Sequence, residues 1–298
     1  MSTSATVTVS DIEVFADKLD AKRAAEIYKE HGALVVRGLY KPYVAAIQKE
    51  IEAAADQARA LADSAVKCPE GWGGADGTLF IPAPKSFGRE KQIMCLAYGY
   101  TTSASFFHSA FEPKTVSICT EILGPDVELF MNGQCLYKEP VGGHAKNLHQ
   151  DAAYFEHRYE GPVAVFGYAV DTDLNNGALH VIPGTHRGAV IKHVDTSSHL
   201  GLEEKDWPWE RALPVIGKAG DAIFFHVKTV HGSKSNFSNA ARPGFIHRYR
   251  RADDFVVISA TTTDNRGAAE KHVAQAKKEN QQGFMVAGSR RYDAGRVC

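Results

Sequence analysis

The chain has 298 residues, enough for one large domain or two small ones, and its 44% hydrophobic and 23% charged fractions are ordinary for a globular protein. A formal net charge of −1 gives no bulk attraction to nucleic acid or to an anionic membrane, so neither is an expected partner. The five cysteines (Cys68, Cys95, Cys119, Cys135, Cys298) are odd in number and lack any CxxC, which disfavours a disulfide framework or structural zinc and favours a reducing, cytoplasmic setting.

Taken in order, residues 1–10 read as a loose polar arm, without the charged-then-apolar pattern of a signal peptide. Asp20 is placed to cap a helix over Ala21–His31, with Gly32 as its stop. Ala33–Arg37 reads as a short buried strand. Pro42 opens a long Ala-rich amphipathic helix running to about Val66. Residues 68–90 hold Gly71, Gly73, Gly74, Gly77, Pro82 and Pro84 and read as a long irregular loop. Such a loop is either a lid or substrate wall near Trp72 and Phe80, or a surface loop with a packed Trp. Phe106–Leu123 is predicted as one helix, ended by Gly124-Pro125. No apolar run is long enough to span a bilayer.

From Val127 the pattern changes to short strands: Val127–Phe130, Cys135–Glu139, Val163–Ala169, Gly177–Ile182, Ala222–Val227, Phe245–Arg250 and Phe255–Ser259. Their even spacing points to a sandwich, jelly roll or barrel with the helices outside. Asp195–Trp209 reads as a polar loop, and Arg266–Gln282 as a charged helix before a Gly- and Arg-containing tail. The expectation is one α+β, mainly β domain over 1–298: a helical layer (1–125), a β core (126–260) and a C-terminal helix and tail (261–298).

The stretch around His149-Gln150-Asp151 carries the chemistry. If it is extended, His149 and Asp151 project from one face. A second imidazole would complete a two-His-one-carboxylate set, which leaves half of an octahedral ferrous site open. An HxD triplet alone is weak, and His193-Val194-Asp195 is a second one in this chain. The latter, however, leads into a polar loop. His231 stands 82 residues after His149, beyond the turn Gly220-Asp221 and an apolar strand, with room for the core to bring it round. Arg242, eleven residues further, offers a planar fork suited to a carboxylate.

The motifs His149-Gln150-Asp151, Asn176-Gly177 through Pro183-Gly184-Thr185-His186-Arg187, Gly220-Asp221 through His226, and His231-Gly232-Ser233 with Arg242 resemble the phytanoyl-CoA dioxygenase family over roughly Gly133 to Tyr249. The N-terminal stretch Glu30–Leu39 resembles that family's opening helix and strand. The resemblance implies a double-stranded β-helix (jelly-roll, cupin-like) core and an Fe(2+)- and 2-oxoglutarate-dependent dioxygenase using O2. Under it His149, Asp151 and His231 are the metal ligands. Arg242 and Ser233 bind the distal carboxylate of 2-oxoglutarate, with Lys138 and Gln150 as further co-substrate contacts. His180, His186 and His226 are expected in structural or supporting roles. The carboxylate of Asp151 disfavours halogenation, because related halogenases lack it.

The expected reaction is hydroxylation of a small polar metabolite with release of succinate and carbon dioxide. Tyr154, His157 and Arg158 are candidate substrate contacts, with His144, Lys146, Arg248, Arg250 and Arg251 nearby in sequence. Several of these at the site mouth would favour a polar or anionic substrate. Two alternatives remain at this point: a peptide or protein hydroxylase of the same chemistry, and a non-oxidative cupin-like metal protein. Oligomeric state is not legible.

Overall fold

The computed structural model describes residues 7–68, 71–159, 161–196, 199–257 and 282–290. The N-terminal part holds strand β1 (Glu13–Phe15), helix α1 (Ala21–His31), strand β2 (Ala33–Arg37) and helix α2 (Val44–Leu61). The Asp20 carboxylate caps α1, accepting from the N–H groups of Lys22 and Arg23 at 3.0 and 3.1 Å. Gly32 ends it at φ 70°, and a Cβ there would lie 2.3 Å from His186 Nδ1, so turn and packing both require glycine. Ile47, Ile51, Ala55 and Ala58 form the buried stripe of α2. This helix stops before the predicted end: a 3-10 turn, Ala62–Ser64, follows, and Val66 already starts a strand.

The described residues of the 68–90 stretch are more ordered than an irregular loop. Strands β3 (Val66–Cys68), β4 (Gly71–Gly73), β5 (Leu79–Pro82) and β6 (Lys91–Leu96) form an antiparallel ribbon. The glycines there serve close approach: a Cβ on Gly71 would meet Phe80 O at 2.0 Å. Trp72 and Phe80 pair across β4 and β5 and do not line the central cavity, so no substrate wall is built from them. The single helix predicted over Phe106–Leu123 is two, α3 (Ala104–Ser109) and α4 (Pro113–Leu123). Pro113 disfavours helical backbone in the residue before it and cannot donate into a preceding turn, so the helix restarts there.

The remaining elements are β7 (Val127–Leu129), β8 (Gln134–Lys138), β9 (Lys146–His149), α5 (Ala152–Phe155), β10 (Val163–Tyr168), β11 (Leu179–Ile182), β12 (Val194–Asp195), β13 (Leu200–Gly201), β14 (Leu213–Val215), β15 (Ala222–His226), β16 (Val230–Ser233), β17 (Arg242–Arg251) and β18 (Met285–Ala287). The larger sheet has the order β1-β2-β15-β10-β17-β8-β6-β5-β4-β3, with β7 on β17 and β18 on β7. The smaller has the order β14-β11-β16-β9. Strands β12 and β13 pair antiparallel at the start of the segment read as a polar loop.

Strand β17 is buried on both faces and shows how the layers meet. Phe245, His247 and Tyr249 face the helices: Tyr249 Oη donates to Ala110 O at 2.8 Å, and the His247 ring lies 3.1 Å from Tyr100 Oη and 2.9 Å from Ser109 Oγ. Arg242, Ile246 and Arg248 alternate to the other face and line a cavity between the sheets. The fold is thus mainly β, a double-stranded β-helix with helices packed outside.

The predicted strand Phe255–Ser259 appears as a single bridge, Val256 with His157, and residues 258–259 lie outside the described residues. So do residues 266–281 of the predicted C-terminal helix, and Gln282 is not helical. Within the tail, β18 completes an edge of the larger sheet. Leu129 N donates to Phe284 O at 2.7 Å, and Arg290 reaches the buried Glu128 carboxylate, which also pairs with Arg250 at 2.8 Å. No helix among the described residues is long and apolar enough to cross a membrane.

Candidate metal centre

The site stands where β9 and β16 run antiparallel, with His149 directly opposite His231. His149 ends its strand. Asp151 is not extended but sits at φ −59°, ψ −28°, entering α5. The pair converges through this turn rather than through strand alternation. His149 Nε2 lies 3.6 Å and His231 Nε2 3.7 Å from Asp151 Oδ1. One ligand atom from each of the three residues falls within 4.8 Å of the other two. The residues are 4%, 5% and 5% exposed for His149, Asp151 and His231.

Their protonation suits a cation. Each imidazole turns Nδ1 to a backbone carbonyl, His149 to Asn147 O at 2.8 Å and His231 to Thr229 O at 2.9 Å, which directs the Nε2 lone pairs inward. Burial, then the neighbouring His149, push the His231 pKa down to about 3, so it is a neutral donor. Burial opposes charge on Asp151, but the Arg248 guanidinium and the two imidazoles outweigh it and hold the carboxyl well below the usual range. Asp151 Oδ2 is buried and accepts no hydrogen bond. Two imidazoles whose Nδ1 atoms are held by backbone carbonyls, and an ionised carboxylate with an unused oxygen, fit a divalent first-row metal.

Around this cluster lies a cavity of about 600 Å³. Arg242 enters it from β17, 1% exposed, with one nitrogen donating to Gly177 O and Nε without a hydrogen-bond partner. Burial lowers its pKa to about 10. It forms no ion pair among the described residues, so this is a buried cation without its anion. Ser233 lines the same cavity, as does Lys138, the cross-strand partner of Arg242. Burial first, then the charges of Arg242 and Lys146, push the Lys138 ammonium down, and it donates to His144 O.

The other expected contacts divide. Tyr154 lines the cavity, its hydroxyl bonded to Leu200 N and O. Gln150 does not: its side chain ties Lys228 O to Ile191 N. His157 is packed on Phe130 and Phe155 away from the cavity, and Arg158 is exposed over Tyr159 and Phe255. Among the nearby basic residues, His144, Lys146 and Arg248 line the cavity, whereas Arg250 pairs with Glu128 and Arg251 with Asp253.

Two residues were missed. His193 Nε2 accepts from Gln150 N and His199 Nε2 from Asn147 N, both at 2.9 Å, so two imidazoles brace the backbone on either side of His149. The second HxD motif is therefore a support for the first. The only sequence signal was an unusual density of histidine in the polar stretch around β12.

Comparison with known proteins agrees with this geometry. The rat peroxisomal phytanoyl-CoA dioxygenase is 24% identical over 196 residues, covering 61% of this chain and 57% of the relative. A probable alpha-ketoglutarate-dependent hypophosphite dioxygenase of Stutzerimonas stutzeri is 30% identical over 153 residues, covering 49% and 52%. The chain thus spans just over half the length of these relatives. Among solved structures, the carbocyclase SnoK of nogalamycin biosynthesis superposes with a TM-score of 0.62 at 18% identity, covering 93% of this chain and 97% of that one. EctD from S. alaskensis with bound Fe gives 0.61 at 18% identity, covering 90% and 87%. At these identities the two structures establish the fold. The model of the phytanoyl-CoA dioxygenase (PhyH) family matches residues 28–244, most of the chain, and the protein belongs to that family.

Proposed function

We propose that this chain is an iron(II)- and 2-oxoglutarate-dependent dioxygenase that hydroxylates a small polar metabolite. The observation that carries the reading is one cavity holding both the His149–Asp151–His231 cluster and the buried, unpaired guanidinium of Arg242. Iron(II) held by those three residues would supply the activation of dioxygen, coupled to decarboxylation of 2-oxoglutarate to succinate and carbon dioxide.

The chain's own residues do the rest. The carbonyls of Asn147 and Thr229 fix the tautomers of the two imidazoles. Arg242, aided by Ser233 and Lys138, orients a distal carboxylate through charge-assisted hydrogen bonds and so sets the depth at which the co-substrate sits. Phe166, Phe225, Leu179 and Ile246 line the cavity with apolar surface and limit the water that reaches the reacting groups. A volume of about 600 Å³ is in the range of small-molecule sites, which favours a metabolite over a protein substrate.

The test is anaerobic titration of the iron(II)-loaded protein with 2-oxoglutarate, followed by visible absorption. The expected result is a weak metal-to-ligand charge-transfer band that saturates. Bound iron without such a band at any 2-oxoglutarate concentration refutes the reading.

A further inference from the structure

The cavity contains more positive charge than the proposed co-substrate accounts for. Two of its cations, Lys138 and Arg242, are cross-strand partners at one end. Two others, Lys146 and Arg248, line the part of the cavity that holds the cluster, with Arg248 Nε 3.5 Å from Asp151 Oδ2. Arg248 is six residues beyond Arg242 on the same face of β17, about 20 Å further along the strand. A carboxylate held at Arg242 therefore does not reach Arg248, whose counter-ion among the described residues is Asp151, 3.5 Å from its Nε.

Arg248 is buried, yet its contacts are poor. Its Nε stands 3.5 Å from Asp151 Oδ2 without hydrogen-bonding, and one terminal nitrogen reaches Gln134 Oε1 only at 3.5 Å. Lys146 has no carboxylate within ion-pair distance among the described residues, and its Nζ lies 5.8 Å from the Tyr154 ring centroid.

The direction of Lys146 has a structural cause. His149 opposes His231, but Lys146 opposes Ser233, three residues against two. This bulge brings Lys146 onto the cavity wall that His149 also lines, although residues three apart on a regular strand face opposite sides. Gly232 makes room for it: a Cβ there would lie 2.7 Å from Lys146 O. Asp151 is one carboxylate near two cations, and a bound divalent metal would claim it.

From this we propose a second anion subsite, formed by Lys146 and Arg248 beside the metal ligands, that holds an anionic group of the substrate itself. The substrate class is then a small organic acid or phosphorus oxyacid, its charged end held next to the cluster. The inference rests on the co-substrate reading above.

The test loads the protein with manganese(II) and saturating 2-oxoglutarate without oxygen, so that Arg242 is occupied. Methylphosphonate and acetate are then titrated by calorimetry, with the neutral probe acetamide as control. Binding of at least one anion is expected, weakened tenfold or more in Lys146→Met and in Arg248→Met, with acetamide silent. Methylphosphonate favoured over acetate identifies a phosphorus oxyacid; the reverse identifies a carboxylate. The manganese and 2-oxoglutarate affinities of Lys146→Met, whose side chain makes no ion pair with Asp151, should stay within about threefold of the parent.

No anion binding by the parent while 2-oxoglutarate still binds overturns the subsite alone. So does a loss of 2-oxoglutarate affinity that tracks the loss of probe affinity in both variants, because the cations would then serve the co-substrate. Failure of 2-oxoglutarate to bind the metal-loaded parent overturns both readings.

Discussion

Replacing Arg242 by methionine separates what this residue does for the fold from what it does for a ligand. Burial takes its pKa from 12.5 to about 10, a displacement on the order of 3 kcal/mol against the charged form. Methionine has no charge to desolvate and retains part of the packing on Phe166. It also leaves Gly177 O without its donor, at roughly 1–3 kcal/mol. These opposed effects nearly cancel, so the ligand-free variant is expected to melt within a few degrees of the parent. Binding differs, because truncating one partner of a buried charged hydrogen-bonded pair costs about 2–5 kcal/mol. That corresponds to 2-oxoglutarate affinity weakened roughly 30- to 4,000-fold. The assay is thermal unfolding of manganese-loaded protein with and without 2-oxoglutarate at a hundred times the parent dissociation constant. The parent should gain about 2.7 kcal/mol and the variant at most about 0.9 kcal/mol. A variant that melts far below the parent without ligand, yet keeps the full rise with it, refutes the reasoning: Arg242 would then be a structural cation.

Three further outcomes are expected. Asp151→Ala and His231→Ala should each abolish iron binding in equilibrium dialysis; near-normal iron uptake by either would dissolve the triad. Gly232→Ala should destabilise the fold by about 2 kcal/mol or more, because its methyl meets Lys146 O at 2.7 Å and Asn147 C and O at 3.0 Å, and it should weaken iron binding by prising His149 from His231; an unchanged urea midpoint would count against the close approach. Burial lowers His157, His226 and His247 to about 3, so between about pH 6.5 and 3 the unfolded chain binds protons that the folded one refuses. Stability should hold above pH 6.5 and fall below it, by up to about 1.4 kcal/mol per pH unit for each histidine; equal urea midpoints at pH 7.5 and 5 would contradict this.

The sequence exposes the parts of the site that local chemistry dictates. His149, Asp151, His231 and Arg242 could be named because ligand type and order along the chain survive folding. The cap at Asp20, the stop at Gly32 and most core strands were legible for the same reason: each depends on neighbours in sequence. What depends on distant contacts was not. The direction of Lys146 follows from a bulge that exists only once β9 pairs with β16. His193 and His199 looked like residues of a polar loop, and only the folded chain lays their rings against the backbone at Gln150 and Asn147. His157 and Arg158 follow the ligand motif closely, but α5 carries the chain away from the cavity before reaching them. The ribbon β3–β6 was hidden because glycine and proline mark the ends of very short strands as readily as they mark loops.

The pairing of β18 with β7 bears on how the protein is made. Gly283 and Arg290 meet Glu128 across 155 and 162 residues of sequence, and Ser289 meets Asp126 across 163. Leu129 likewise awaits Phe284. During synthesis His149, Asp151, His231 and Arg242 emerge well before the strand that closes this edge. Until residue 290 is available, Glu128 lacks the second of its two arginines, and the outer hydrogen-bonding edge of β7 is open to pairing with another nascent chain. The vulnerable interval in biosynthesis is thus expected late, after the centre can assemble and before the sheet is sealed.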